Sequence, residues 1–170
     1  MPEQVFIGLG SNLGDSTRML QRASDCIAQL PQTRLIRQSG LYISPAWGGI
    51  DQPEYTNAVL EIETSLEPDR LLKELLAIER KNGRNRLNEL RWGPRVLDCD
   101  ILLFGERRLQ TASLTLPHPR MAERAFVLIP LAEIAPDLVI PNLGELSSLI
   151  QHLKDVSIAR LEQGTDYVYQ

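Results

Sequence analysis

The sequence predicts an α+β fold, with helices packed on an antiparallel or mixed sheet. Three observations carry that expectation. Short apolar runs bounded by turn residues recur along the chain and read as strands. Between them lie two segments with helical spacing of apolar residues, giving strand-helix-strand twice before a hairpin and further short pieces. The chain is also long enough, at 170 residues with 43% hydrophobic and 24% charged, to bury a real core as one domain spanning 1–170.

Val5 to Gly10 reads as the first strand, and Ser11-Asn12-Leu13-Gly14 as the turn after it. Asp15 or Ser16 can cap the next helix, whose core face is Met19, Leu20, Ala23, Ile27 and Leu30, and Pro31 marks its end. The glycine spacing here is neither the dinucleotide fingerprint nor a P-loop, so the glycines are expected to serve the strand-to-helix turn. Leu35 to Ile43 is expected as one strand and Asn57 to Thr64 as the next, with Tyr55 and Asn57 sharing a face at its mouth. The loop between them, Ser44 to Tyr55, holds two Pro, two Gly and two large aromatics, a composition suited to folding over a ligand.

Pro68 suits the first turn of a second helix that carries Leu71, Leu72, Leu75, Leu76 and Ile78 inward and stops at Asn82-Gly83. Glu79 falls in its last turn, a poor place for an acid against the helix dipole, which makes it a functional candidate. An apolar strand runs from Leu97 to Phe104, and Gly105-Glu106 is expected to turn it into Arg108-Leu109. Phe126 to Ala135 mixes strand and helix signals, with Pro130 limiting any helix. Leu146, Leu149, Ile150 and Leu153 mark a last helix. The tail to Gln170 is either loose or a final edge strand.

Net charge is −4, which disfavours a general nucleic-acid or anionic-membrane binder. No apolar run approaches the length of a membrane span and no signal pattern opens the chain, so a cytoplasmic setting is expected. Cys26 and Cys99 show no metal or redox spacing. The cations are skewed toward Arg, and four of them (Arg84, Arg86, Arg91, Arg95) fall with a single acid, Glu89, in one loop.

That loop runs into Asp98-Cys99-Asp100. In a strand, Asp98 and Asp100 share one face while Leu97, Cys99 and Ile101 share the other. Two carboxylates on one face can hold one Mg²⁺ or bridge two, with waters and phosphates completing the shell. Neighbouring Arg groups would neutralise a transferring phosphoryl group, and Trp47 and Trp92 offer flat surfaces for a ring.

The run Arg91-x-Gly93-Pro94-Arg95-x-x-Asp98-x-Asp100-Ile101-Leu102 resembles the signature of the 6-hydroxymethyl-7,8-dihydropterin pyrophosphokinases. Gly8-Leu9-Gly10-Ser11-Asn12-Leu13, Asp51 to Ala58, Leu116-Pro117-His118-Pro119 and Phe126-x-Leu128-x-Pro130-Leu131 extend the resemblance in order along the chain. It implies a monomeric, ferredoxin-like three-layer α/β/α sandwich around a mainly antiparallel sheet. The implied activity is Mg²⁺-dependent transfer of diphosphate from ATP to the pterin hydroxymethyl group, leaving AMP, in folate biosynthesis.

Carried onto this chain, the resemblance gives Asp98 and Asp100 to two Mg²⁺ ions, and Arg84 and Arg95 to catalysis at the triphosphate. Ser44, Pro45, Trp47, Tyr55, Asn57, Trp92 and Phe126 fall to the pterin. Glu79, Arg86, Trp92, Ile101, Thr115, His118 and Arg124 fall to ATP. The loops 44–55 and 84–94 are expected to close over both substrates. Cys99 stands where an aliphatic residue is usual and is expected to pack in the core; Pro119 stands where an aromatic can occur. A metal-dependent phosphodiester hydrolase could use the same acids, but it would leave the aromatic loop without a purpose.

Overall fold

The computed structural model describes residues 1–46, 52–83, 96–161 and the backbone of 167–169. In order, the chain forms β1 (Glu3–Ser11), α1 (Ser16–Ala28), β2 (Thr33–Gln38), β3 (Leu41–Ser44), β4 (Tyr55–Thr64), α2 (Pro68–Lys81) and β5 (Asp98–Phe104). A short pair follows, β6 (Leu109–Gln110) and β7 (Thr115–Leu116), then a 3-10 turn (Met121–Glu123) and α3 (Ala125–Ile134). A second short pair, β8 (Val139–Ile140) and β9 (Gly144–Glu145), leads to α4 (Leu146–Gln151), β10 (Ala159–Leu161) and β11 (Tyr167–Tyr169).

The main sheet runs β11-β10-β3-β4-β1-β5, with β2 on the other end of β4, and its pairings among the described residues are antiparallel. Strand alternation sends Val5, Ile7, Leu9, Leu60, Ile62, Cys99 and Ile101 to one face, against Leu20 and Ile27 of α1 and Leu71 and Leu75 of α2. Phe6, Val59 and Leu102 point to the other face, against Leu128, Leu131 and Ile134 of α3 and Leu146 of α4. This is the expected α/β/α sandwich. Each fully buried Leu or Ile contributes about 1.5–3 kcal/mol over leaving it in water.

The helices start and stop where their ends are chemically satisfied. Asp15 caps α1 by accepting the Arg18 N–H at 3.2 Å. Pro68 opens α2, and Gly83 with φ +94° lets the chain turn away after Asn82.

Two expectations change and two open readings resolve. The single strand 35–43 is two strands, because Ser39 bends the chain against β4. Its N–H donates to Val59 O at 2.9 Å while its hydroxyl, in place of a carbonyl, accepts the Val59 N–H at 2.9 Å. The mixed stretch 126–135 is helical as far as Ile134 despite Pro130, because α3 is apolar nearly all round and its burial outweighs one missing N–H. Gly105 makes the expected turn, with φ +56°, but Leu109 pairs with Leu116 of β7 rather than returning to β5. The tail takes the edge-strand alternative: β10 adds to β3, and β11 adds to β10.

Candidate active site

The site begins with the register of β1 between β5 and β4. Gly10 lies opposite Asp98 on one side and Asn57 on the other, and Gly8 lies between Asp100 and Val59. These glycines sit inside the first strand, as the sequence placed them, but they serve the site rather than the turn that follows. A Cβ on Gly10 would come 3.4 Å from Asn57 Oδ1 and 3.7 Å from the Tyr55 ring, and one on Gly8 would come 3.4 Å from the Leu102 side chain. Their missing side chains leave a trough on the α3 face, floored by main chain. With strands ~4.8 Å apart, Asp98 and Asn57 stand roughly 10 Å apart across it.

The trough is part of a cavity of ≈ 120 Å³ walled by Ser44, Tyr55 and Asn57 on one side and Asp98 and Asp100 on the other. Asn57 is 3% exposed, and its Nδ2 donates to Ser44 Oγ at 2.7 Å, with Tyr55 O at 3.4 Å and Tyr42 O at 3.5 Å. Two of those three atoms are carbonyl oxygens that can only accept, so the amide nitrogen must face them. Its oxygen is thereby turned toward the gap over Gly10.

The far wall comes from the start of α3. Phe126 lines the cavity, and the Arg124 guanidinium lies 5.4 Å from the centre of its ring. Burial pulls the Arg124 pKa below its ordinary value, an effect opposed chiefly by the Asp100 carboxylate and also by Asp98. Arg124, expected on the nucleotide side, thus lines the same cavity as the two acids.

A larger cleft of ≈ 950 Å³ opens beyond the outer edge of β5, between α2 and the β6–β7 pair. Asp100 lines this cleft as well as the first cavity. Glu79, 2% exposed, reaches from the last turn of α2 and accepts the Cys99 N–H at 2.8 Å, pinning the strand between its two acids. Ile101 also lines the cleft, but its side chain is in the core, so its main chain on the strand edge is what a ligand would meet. Thr115 and His118 complete that side. Burial pulls the His118 pKa down, Asp100 pushes it back up, and Arg124 and Arg120 add to the lowering. Its Nδ1 accepts the Arg120 N–H at 3.2 Å, which leaves the proton of the neutral ring on Nε2.

The structure therefore gathers Ser44, Tyr55, Asn57, Phe126, Arg124 and both acids about one cavity, and Glu79, Ile101, Thr115 and His118 about the other. Pro45 lines an adjoining recess with Ser44 and Phe126. Trp47, Arg84, Arg86, Trp92 and Arg95 lie outside the described residues, as does the rest of the Arg loop through Pro94. Sequence reasoning missed Gly8 and Gly10 as floor. It sent Leu72 and Leu76 inward; Leu72 does pack against the core, but both are only partly buried and also line the large cleft beside Arg80. Their i, i+4 spacing, offset by one from the Leu71-Leu75 stripe, was the available signal.

The acids suit a hard cation. Among the described residues there is no group of three His, Cys, Asp or Glu that could hold a metal by itself. Two carboxylates facing an open cleft provide the sparse, all-oxygen set that Mg²⁺ accepts when phosphates and waters supply the rest.

A family model described as 7,8-dihydro-6-hydroxymethylpterin-pyrophosphokinase (HPPK) matches residues 6–136. A 2-amino-4-hydroxy-6-hydroxymethyldihydropteridine pyrophosphokinase of Pseudomonas aeruginosa is 47% identical over 161 residues, covering 95% of this chain and 98% of the relative. The protein of the same description from Haemophilus influenzae is 46% identical over 157 residues, covering 92% and 97%. Among solved structures, a Plasmodium falciparum HPPK-DHPS triple mutant with pteroate superposes with a TM-score of 0.71 at 12% identity, a likeness of fold. It covers 98% of this chain and 48% of the other, so this chain spans about half the length of that one.

Proposed function

The chain belongs to the 7,8-dihydro-6-hydroxymethylpterin-pyrophosphokinase family and is a pyrophosphokinase of folate biosynthesis, and from that premise we propose how its two cavities divide the work. The smaller takes 6-hydroxymethyl-7,8-dihydropterin and the larger takes ATP. Diphosphate passes from ATP to the hydroxymethyl oxygen, and AMP leaves. One observation supports this most directly: Asp100 borders both cavities, so phosphates held at that carboxylate lie beside both substrates.

The hydroxymethyl oxygen attacks the β-phosphorus, the bond from that phosphorus to the bridging α–β oxygen breaks, and the hydroxyl proton passes to solvent. Asn57 pairs its oxygen with the donors on the pterin edge, and Phe126 covers the ring face. Gly8 and Gly10 let the flat ring approach the main chain. Asp98 and Asp100 would hold Mg²⁺, as two ions. When bound, Mg²⁺ supplies charge neutralisation at the phosphates and favours the ionised form of a nearby hydroxyl. Arg124 adds positive charge beside both acids, while Arg84 and Arg95 are assigned to the triphosphate by resemblance. Glu79 keeps the acid-bearing strand in register, and Arg86, His118, Thr115 and the Ile101 main chain hold the nucleoside end. Trp47 and Trp92 are assigned to the pterin by resemblance. The contribution of the protein is mainly positioning and charge.

The same reading has residues 1–170 acting as one domain, as a monomer, in the cytoplasm. Among the described residues no helix is long and apolar enough to cross a membrane.

The test is incubation with ATP, Mg²⁺ and the hydroxymethyl pterin while following AMP. AMP formation that requires the pterin supports the assignment. Equal ATP breakdown without pterin would replace it with a hydrolase, and no turnover with a binding module.

A further inference from the structure

Helix α3 is tied to the sheet at a point that lines neither cavity. Glu133 accepts the Gly40 N–H with both carboxylate oxygens, at 3.0 and 3.2 Å, and the Tyr42 hydroxyl at 2.5 Å. Arg160 of β10 adds an ion pair at 3.5 Å, lying so close over Gly40 that a Cβ there would come within 3.0 Å of its guanidinium. One residue on, Ile134 O accepts from Arg37 Nη1 at 2.8 Å, and Arg37 is itself paired with buried Glu61 at 3.3 Å. The carboxyl-terminal end of α3 is thereby hooked to β2, β3 and β10.

Both walls of the smaller cavity hang from this hook. Phe126 is seven residues before Glu133, two turns along the same helix face, roughly 10.5 Å away at 1.5 Å per residue. Across the gap, Tyr42 stands opposite Asn57 in the sheet register, and Tyr42 O and Ser44 Oγ are the acceptors that orient the Asn57 amide. Tyr42, Ala125 and Ile158 form a small apolar cluster, with Phe126 packed against it between hook and cavity.

We propose that Glu133, acting through Tyr42, is a positioning residue that sets the spacing between Phe126 and the Asn57 amide, and so the grip on the flat ring. The inference rests on the pterin assignment of that cavity. Glu133 touches neither cavity, and its effect falls on the ring site rather than on the nucleotide cleft, whose walls come from α2, β5 and the β6–β7 segment. Burial, reinforced by the bond to Glu133, raises the Tyr42 pKa, so the hydroxyl remains a donor throughout the neutral range.

The experiment compares wild type with Tyr42→Phe, Glu133→Gln and Glu133→Ala. Titration with 6-hydroxymethyl-7,8-dihydropterin gives Kd, steady-state assays give KM for each substrate, and thermal melts report folding. Tyr42→Phe and Glu133→Ala are expected to weaken pterin binding about tenfold, the equivalent of one hydrogen bond to a charged group. Glu133→Gln, which keeps one acceptor oxygen and exchanges the other for an NH2 donor, should lie between them and wild type, with KM for ATP unchanged in all three. Tyr42→Phe removes one hydroxyl and keeps the ring, so it carries the test if the Glu133 variants do not fold. Unchanged pterin affinity in that variant, or equal weakening of both substrates, would overturn the inference while wild type still binds pterin. Wild type failing to bind pterin would overturn the functional reading and this inference together.

Discussion

Asp98 and Asn57 face each other across Gly10, two strands apart in one row of the sheet. Between the carboxylate and the amide, that row of the sheet carries only the main chain of Gly10. A flat molecule that lies on Gly10 therefore meets both groups at its edges.

Filling that gap should remove the ring site. Gly10→Val is expected to weaken pterin binding about tenfold or more, since overpacking costs about 1–3 kcal/mol. KM for ATP should stay within twofold. Fluorescence titration with the pterin measures it, and wild-type affinity in the variant would mean that the ligand lies elsewhere.

Neutralising either acid should stop chemistry without unfolding the chain. Asp98→Asn and Asp100→Asn are each expected to lower turnover about 10²–10³-fold, the scale of losing a group that stabilises transition-state charge. Asp100 is exposed, and its replacement should leave the melting midpoint within a few degrees of wild type. Assays across a Mg²⁺ titration would report the effect, and a variant with normal turnover at low Mg²⁺ would remove that carboxylate from the metal site.

Glu79 offers a separation of stability from catalysis. Glu79→Ala leaves the buried Cys99 N–H without its acceptor, which should cost about 1–3 kcal/mol. Glu79→Gln retains a carbonyl oxygen and should cost less. Urea denaturation gives the stability, and amide exchange at Cys99 the local effect. If both variants are as stable as wild type, the bond does not hold β5 in place.

Tyr42 predicts an alkaline limit. Its pKa in the folded protein is raised above the ordinary value of 10.0 by burial and by Glu133, with Arg160 pulling the other way. Below pH 10 both states keep the proton and the bond contributes fully. Above it the unfolded chain loses a proton that the folded chain retains, so stability falls by about 1.4 kcal/mol per pH unit from this group. Tyr42→Phe should therefore show a shallower loss between pH 10 and pH 11.5, measured by urea unfolding. Parallel curves for the two proteins would rule out the linkage.

The acid-bearing strand was legible because alternation is local: Leu97, Cys99 and Ile101 are core, and Asp98 and Asp100 share the other face. Caps at Asp15 and Pro68 were legible for the same reason. Helix α3 was not, because burial on nearly every side erases the 3.6-residue period that marks a half-exposed helix. Gly8 and Gly10 were placed in the first strand but credited only with helping the turn after it, because a glycine's role in making room depends on which strands flank it. The break at Ser39 required knowing that its hydroxyl would meet Val59. The acids, Tyr55, Asn57 and Phe126 were named in advance, and resemblance divided the residues into a pterin set and an ATP set, but nothing local showed that Asp100 would border both cavities.

Strand β5 closes one end of the sheet, the place where a bare row of amides and carbonyls would invite a strand from another molecule. Here the Cys99 N–H is taken by Glu79 and Leu102 O by the His118 N–H at 2.9 Å. This edge is thus covered at two points by residues that also line the larger cleft. Loss of either contact should appear first as poor solubility, with soluble yield falling before the specific activity of the surviving protein.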